Sequence, residues 1–300
     1  MDFDTFQNLT RSEVALEVRR AQATVCAFPI NGTRRWLLLE HPGASASRFI
    51  EINARRHIEL YQLLFEHGID TILAPIYEPQ MQKRGEEYRQ TIMTQGLAAV
   101  ANHPIFTDFY DACQIRVRFY GDYQKTFPGT AFAHLPDEFN RCMQRTQQHQ
   151  RHRLFYGVST RRAIEDVVRL AVQKPAAQLP LLDRAALIEL YYGEPIPPVS
   201  LFITSGKFNV FGMPLLETND TSLYFTVAPS PFLTEQQLRG MLYDHLYHRQ
   251  SSAKPNYADL TAAEFERMRA YYQAHQDMTF GVGTIRNGTW YPVLPGGEVD

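Results

Sequence analysis

The sequence predicts an α/β domain with a mostly parallel central sheet flanked by helices. Three observations carry this. Short apolar runs of strand length alternate with stretches of helical periodicity. A strong hairpin signal is confined to the C-terminal end, so the preceding strands need crossover connections. A chain of 300 residues with 44% hydrophobic and 21% charged side chains can bury one sizeable core.

The candidate strands are Thr24 to Ile30, Thr71 to Ile76, Ile115 to Tyr120, Leu154 to Val158, Leu201 to Thr204 and Leu223 to Val227. Between them, Phe49 to His67 places Ile50, Ile58, Tyr61, Leu64 and Phe65 at helical spacing, and Arg161 to Val172 places Ile164, Val167, Val168 and Ala171 on one stripe. Two later helices begin at capping boxes, Thr234 to Gln237 and Thr261 to Glu264, where hydroxyl and fourth side chain satisfy backbone donors reciprocally. Asn287-Gly288 lies between Phe280 to Ile285 and Trp290 to Val293 and marks a hairpin. Arg141 to Arg153 is rich in Gln, His and Arg and reads as an exposed connection, with a loop over the site as the alternative. The expected organisation is one domain over 1–300, with an N-terminal extension 1–22 and a C-terminal helix plus hairpin 260–294.

Composition excludes several classes. A net charge of −2 without a basic stripe argues against nucleic-acid binding. The three cysteines Cys26, Cys113 and Cys142 are scattered, which gives neither a disulfide framework nor a zinc site. No apolar run reaches the ~20 residues of a membrane span, and the N-terminus lacks the apolar core of a signal peptide, so a soluble cytoplasmic protein is expected. Asp244, His245 and His248 lie on the helix after Thr234, where the two histidines could share a face, but a metal site would have two ligands and no clear third.

The most informative segment is Asn31-Gly32-Thr33-Arg34-Arg35-Trp36, directly after the first candidate strand. Exposed backbone N–H groups beside two fixed positive charges suit a diphosphate. On local chemistry alone it reads equally as a turn with two solvated arginines. The segment resembles the Asp-Gly-Asn-Gly-Arg-Trp signature of cis-prenyltransferases, and more closely the Asp-Gly-Thr-Arg-Arg-Trp form of their tuberculosinol synthase branch. Further similarity runs in order through Leu64 to Ile69, Val117 to Tyr123, Arg153 to Val158, Tyr191 to Glu194, Ser222 to Ser230, Leu242 to His245 and Phe280 to Gly283.

The resemblance implies the undecaprenyl diphosphate synthase-like fold, a homodimer, Mg²⁺ as cofactor, and diphosphate binding by Gly32, Thr33, Arg34, Arg35 and Arg84. It implies catalytic positions at Asn31, Arg34, Arg35 and Phe49, and an apolar pocket for the cation lined by Phe49, Tyr77 and Tyr120. Two departures stand out. The family's metal-binding Asp is Asn31 here, a neutral oxygen where a carboxylate suits hard Mg²⁺ better. A family Tyr falls at Phe49 if one residue is inserted, or at Arg48 if none is. The Arg-Thr-Gly-Gly-Glu-x-Arg segment that binds isopentenyl diphosphate in elongating members is replaced by Thr204 to Val210, and a later family Glu by Ser222. The expected activity is therefore ionisation of one substrate, a bicyclic C20 allylic diphosphate such as kolavenyl or tuberculosinyl diphosphate, with capture of the cation by water to give a tertiary alcohol. Transfer to another nucleophile such as adenosine is a variant of it. A chain-elongating enzyme and a non-catalytic partner subunit are the alternatives.

Overall fold

The computed structural model describes residues 1–79, 96–175, 182–249 and 259–294. Six strands, β1 (Val25–Ala27), β2 (Thr71–Tyr77), β3 (Ile115–Tyr120), β4 (His152–Val158), β5 (Leu201–Ser205) and β6 (Ser222–Thr226), form one sheet in the order β3-β4-β2-β1-β5-β6. Every pairing in it is parallel. The order of the chain reverses at β1, which lies between β2 and β5. Open sheets of this kind bind ligands at the carboxyl ends of the strands where the order reverses.

Helices cover both faces: α1 (Phe3–Gln7), α2 (Arg11–Arg20), α3 (Thr33–Glu40), α4 (Ala46–Glu66), α5 (Ala98–Asn102), α6 (Pro104–Ala112), α7 (Tyr123–Thr126), α8 (Leu135–Arg145), α9 (Ala163–Val172), α10 (Arg184–Tyr192), α11 (Glu235–Tyr243) and α12 (Ala262–His275). The strand pleat sends alternate residues to opposite sides. Cys26, Ala74, Phe119 and Tyr156 enter one core with Phe6, Val14, Leu60, Tyr61 and Tyr110. Their neighbours Ala27, Leu73, Tyr120 and Phe155 enter a second core with Tyr191, Tyr192, Phe202 and Leu216. Burial on both faces explains why the strands read as continuous apolar runs rather than alternating ones.

The strands lie where the sequence places them, with instructive shifts. β1 stops at Ala27 although its apolar run continues to Ile30, because Pro29 has no N–H to extend the ladder and Phe28 donates the last rung to Leu73. Both capping boxes form as expected. The hairpin β7 (Gly283–Arg286) and β8 (Thr289–Pro292) turns at Asn287 and Gly288, both with positive φ (49° and 74°), as a two-residue primed turn requires.

Two expectations are corrected. Arg141 to Arg153 is an exposed connection only in part: Arg141, Gln144, Arg145, Gln147, Gln148, Gln150 and Arg151 are exposed, but the segment is anchored. It holds the end of α8, where Cys142 is buried, and Thr146, whose hydroxyl donates to the Cys142 carbonyl and accepts from Val117 N–H. It leads into the amino end of β4, away from the carboxyl ends, so it does not cover the site. The stripe read on α9 divides, with only Val167 of its members fully buried. Ile164 is 78% and Val168 55% exposed, while Ala163, Asp166 and Val167 face inward.

Glu194 gathers three arginines from the sheet, Arg116, Arg118 and Arg153, and so locks the end of α10 against β3 and β4. The Tyr192 hydroxyl donates to the Pro214 carbonyl beside it. At the opposite corner, Glu235 of α11 accepts from Arg11 and Arg239, and Arg239 also donates to the Gln7 and Leu9 carbonyls. These contacts fasten the N-terminal helices to the body.

Candidate diphosphate site

The site forms where the chain leaves β1. Asn31 amide N–H donates to Ser230 Oγ at 3.1 Å, and its carbonyl accepts from Ser230 N–H at 2.9 Å and from Ser205 Oγ at 3.2 Å. The Asn31 side-chain amide donates to Thr204 Oγ1 at 3.1 Å and to the Ser205 carbonyl at 3.4 Å. Thr204 in turn donates its proton to the Pro29 carbonyl at 2.9 Å. The carboxyl ends of β1 and β5 and the turn after β6 are thereby joined by neutral groups alone.

Gly32 follows with φ +78°, and a Cβ there would lie 2.7 Å from Pro229 Cβ. Only glycine combines that backbone conformation with that close approach. This turn starts α3, whose N-cap carries no side-chain hydrogen bond, so the first-turn N–H groups remain available to an anion. Arg34 and Arg35 belong to that first turn, Arg34 exposed and Arg35 half-buried, while Trp36 is buried beneath them. Thr33 is half-buried at the helix start. The first turn of α3 thus brings together open backbone amides, the positive end of the helix dipole and the two arginines Arg34 and Arg35, a combination suited to an anion.

The other residues predicted for the site divide. Phe49 is half-buried on the first turn of α4, which packs against α3. Tyr77 is buried at the end of β2, its ring centroid 5.8 Å from that of Phe127. Tyr120 is not brought to them: it lies in the core on the other face of the sheet, against Tyr191 and Tyr192, with its hydroxyl donating to the Gly212 carbonyl. The strand pleat decides this, since Phe119 takes the face shared with Tyr77. Arg84 lies outside the described residues. Ser222 stands at the amino end of β6, opposite Leu201, and pairs with His245 Nδ1 at 2.8 Å, remote from Asn31. Asp244 accepts from the Tyr224 hydroxyl and from Arg249.

Sequence reading missed Ser205, Pro229, Ser230 and Arg56. Ser205, Pro229 and Ser230 lie in stretches named above only for their resemblance, and no local pattern assigns them or Arg56 a role; they act through contacts between segments about 174 to 199 residues apart. A magnesium ion finds little at this place. Among the described residues no group of three His, Cys, Asp or Glu side chains could hold a metal, and Asn31 contributes one neutral amide. Among the described residues, the side chains at this place therefore do not make up a site for a resident Mg²⁺. No helix among the described residues is long and apolar enough to cross a membrane.

No family model matches the sequence. Whole-chain comparison finds tuberculosinyl adenosine transferase of Mycobacterium tuberculosis, 37% identical over 287 residues, covering 95% of this chain and 96% of that protein. It also finds (+)-kolavelool synthase of Herpetosiphon aurantiacus, 26% identical over 279 residues, covering 92% and 91%. Among solved structures, lavandulyl diphosphate synthase from Lavandula x intermedia superposes with TM-score 0.60 at 18% identity, covering 76% of this chain and 97% of that one. A probable undecaprenyl diphosphate synthase from Campylobacter jejuni gives TM-score 0.54 at 14% identity, covering 74% and 94%. These two share the fold. With its six-stranded parallel sheet and its likeness along almost the whole length of a 37% identical relative, the chain belongs to the tuberculosinyl adenosine transferase branch of the cis-prenyltransferase fold.

Proposed function

We propose that the chain ionises a bicyclic C20 allylic diphosphate and lets water capture the cation, releasing diphosphate and a tertiary diterpene alcohol. The observation that carries this reading is the cationic anion site at Gly32–Arg35 set against a neutral partner surface of Asn31, Thr204, Ser205 and Ser230. One diphosphate is served by arginines and helix amides. A second would meet hydroxyls already bonded to one another, with nothing to offset its charge.

In this reading Arg34, Arg35 and the α3 amides hold the diphosphate and stabilise the charge that gathers on it as the allylic C–O bond breaks. Phe49 and Tyr77 present ring faces to the cation and limit the water that reaches it. The activities for which the two relatives are named support a diterpenyl substrate, and the closer of these two in identity favours adenosine as an alternative nucleophile. A homodimer is part of the proposal. α12 buries none of its residues, and Tyr271, Tyr272, Phe280 and Ile285 are 63%, 64%, 82% and 68% exposed, an apolar arm suited to a second copy.

Incubation with a panel of C15 and C20 diphosphates and Mg²⁺, with and without adenosine, tests the reading. Diphosphate release with a C20 alcohol is expected. Release only in the presence of adenosine, as an adduct, moves the activity to transfer; no release with any substrate overturns it.

A further inference from the structure

The face of α4 that looks inward carries a polar stripe no expectation included. Phe49, Asn53, His57 and Tyr61 recur at four-residue spacing, which aligns them on one side of the helix. Asn53 Oδ1 and His57 Nε2 are each hidden from solvent and each without a hydrogen-bond partner, whereas the Tyr61 hydroxyl meets that of Tyr156. The His57 and Tyr61 rings lie 6.2 Å apart, and Tyr61 sits 6.4 Å from Tyr156, whose hydroxyl also pairs with Tyr110 at 2.9 Å. Buried polar atoms are ordinarily satisfied, so two unpaired atoms one helical turn apart on the same face suit a ligand they share.

The stripe is adjacent to the diphosphate site. Arg56, the residue before His57, donates to the Pro231 carbonyl at 2.7 Å. Its neighbour Ser230 receives the Asn31 N–H at 3.1 Å. Phe49, at the other end, lies where α4 packs on α3. The stripe thus runs from Phe49, on the turn of α4 that packs on α3, to the buried Tyr61.

The geometry points to His57 as the catalytic base and to Asn53 as its companion in holding the captured water. This rests on the function proposed above and names the residues of its second half-reaction. Asn53 Oδ1 and imidazole Nε2 are both acceptors, so a water that donates one O–H to each turns its lone pair away from them and toward the cation. As the water oxygen forms its bond to the allylic carbon, the proton on the Nε2 side passes to His57; the alcohol keeps the other. The diphosphate has already left with the electron pair of the broken C–O bond. Burial alone lowers the His57 imidazole to about 4, so it is the free base at neutral pH. Phe49, which has no titratable group, stands at the start of the same face, so the first group on this stripe able to take a proton is His57.

The test separates ionisation from capture. Wild type, His57→Ala and Asn53→Ala are given the accepted diphosphate in H₂¹⁸O, with diphosphate release and product distribution measured together and folding checked by thermal melting. The expected result for His57→Ala is diphosphate release within about threefold of wild type, with ¹⁸O-labelled alcohol falling at least ~10²-fold in favour of olefins, in the range a general base supplies. Asn53→Ala should shift the same ratio less. An unchanged alcohol fraction in both variants, or a wild type that releases diphosphate without incorporating ¹⁸O, overturns the assignment while leaving ionisation intact. No release by wild type overturns the parent reading and this one with it.

Discussion

The Arg56 guanidinium donates to the Pro231 carbonyl at 2.7 Å and to the Leu233 carbonyl at 3.1 Å, tying the middle of α4 to the turn that holds Asn31. Charge-assisted bonds of this kind contribute about 1.5–3 kcal/mol each when a buried acceptor depends on them. Arg56→Met keeps the aliphatic packing and removes both bonds. We expect a lower melting temperature together with a fall in kcat, because Ser230 and Asn31 lose their support. A melting curve shifted with kcat unchanged would confine Arg56 to the fold.

Arg34→Ala and Arg35→Ala each remove a cation from the first turn of α3. If either stabilises charge on the leaving diphosphate, turnover should fall by ~10²-fold or more with little change in melting temperature. Lysine should restore less than half of the loss in logarithmic terms, because it cannot grip two oxygens at once. Normal rates in both alanine variants would reduce the segment to a solvated turn.

Isopentenyl diphosphate should not be incorporated. Thr204 and Ser205 are 1% and 3% exposed and their hydroxyls are engaged with Pro29, Asn31 and Ser230. The cation of that stretch, Lys207, lies on the exposed side. Radiolabelled isopentenyl diphosphate in a longer prenyl product would contradict this directly.

Much of the fold was legible because parallel strands buried on both faces leave apolar runs bounded by polar residues, as at Ile115–Tyr120, whose limits the structure reproduces. Helix starts were legible where a hydroxyl and a fourth-position acid or amide bracket them, as at Thr234 and Thr261. What failed was the side each residue faces. Tyr120 and Phe119 are equally apolar in sequence, and only the pairing of β3 with β4 sends one to each core. The apolar stripe of α9 held at Val167 but not at Ile164 and Val168, because periodicity finds a face without showing how much of it is covered. The anion-binding turn was visible as a local motif. The groups that hold it, Ser205 and Ser230, come from the far ends of other strands and carry no local signal.

Acid should destabilise the protein below neutral pH. His57 and His152 are lowered from 6.5 to about 4, chiefly by burial, and His67 and His245 are lowered by the same cause. Their unfolded forms take protons near pH 6.5 and their folded forms do not, so stability is fully present above 6.5 and is lost as pH falls toward 4. Glu235, held down to about 2 chiefly by its hydrogen bond from Arg11, adds a contribution lost below pH 4.5. The melting temperature should therefore drop between pH 7 and 5, and His152→Gln should flatten that slope. A melting temperature that stays constant over this interval would show that the folded protein protonates these imidazoles freely.

Asn31 carries the last prediction. Its side-chain amide faces the Ser205 carbonyl, which can only accept, and Thr204 Oγ1, whose proton is already given to Pro29. The NH₂ end must therefore point at these two, and the turn is built around a donor. Asn31→Asp replaces that donor with a carboxylate beside a carbonyl oxygen, which should destabilise the fold by about 1–3 kcal/mol. The same change creates the anionic oxygen donor that the site lacks, and hard Mg²⁺ binds carboxylate far better than amide. Turnover should rise by ~10²-fold or more if that carboxylate then reaches a metal in the transition state. The gain should vanish with chelator, whereas the loss of stability should not. A variant that is less stable and no faster would show that Asn31 serves to join β1 to β5 through Thr204 and Ser205, and that charge on the leaving diphosphate is met by Arg34, Arg35 and the α3 amides alone.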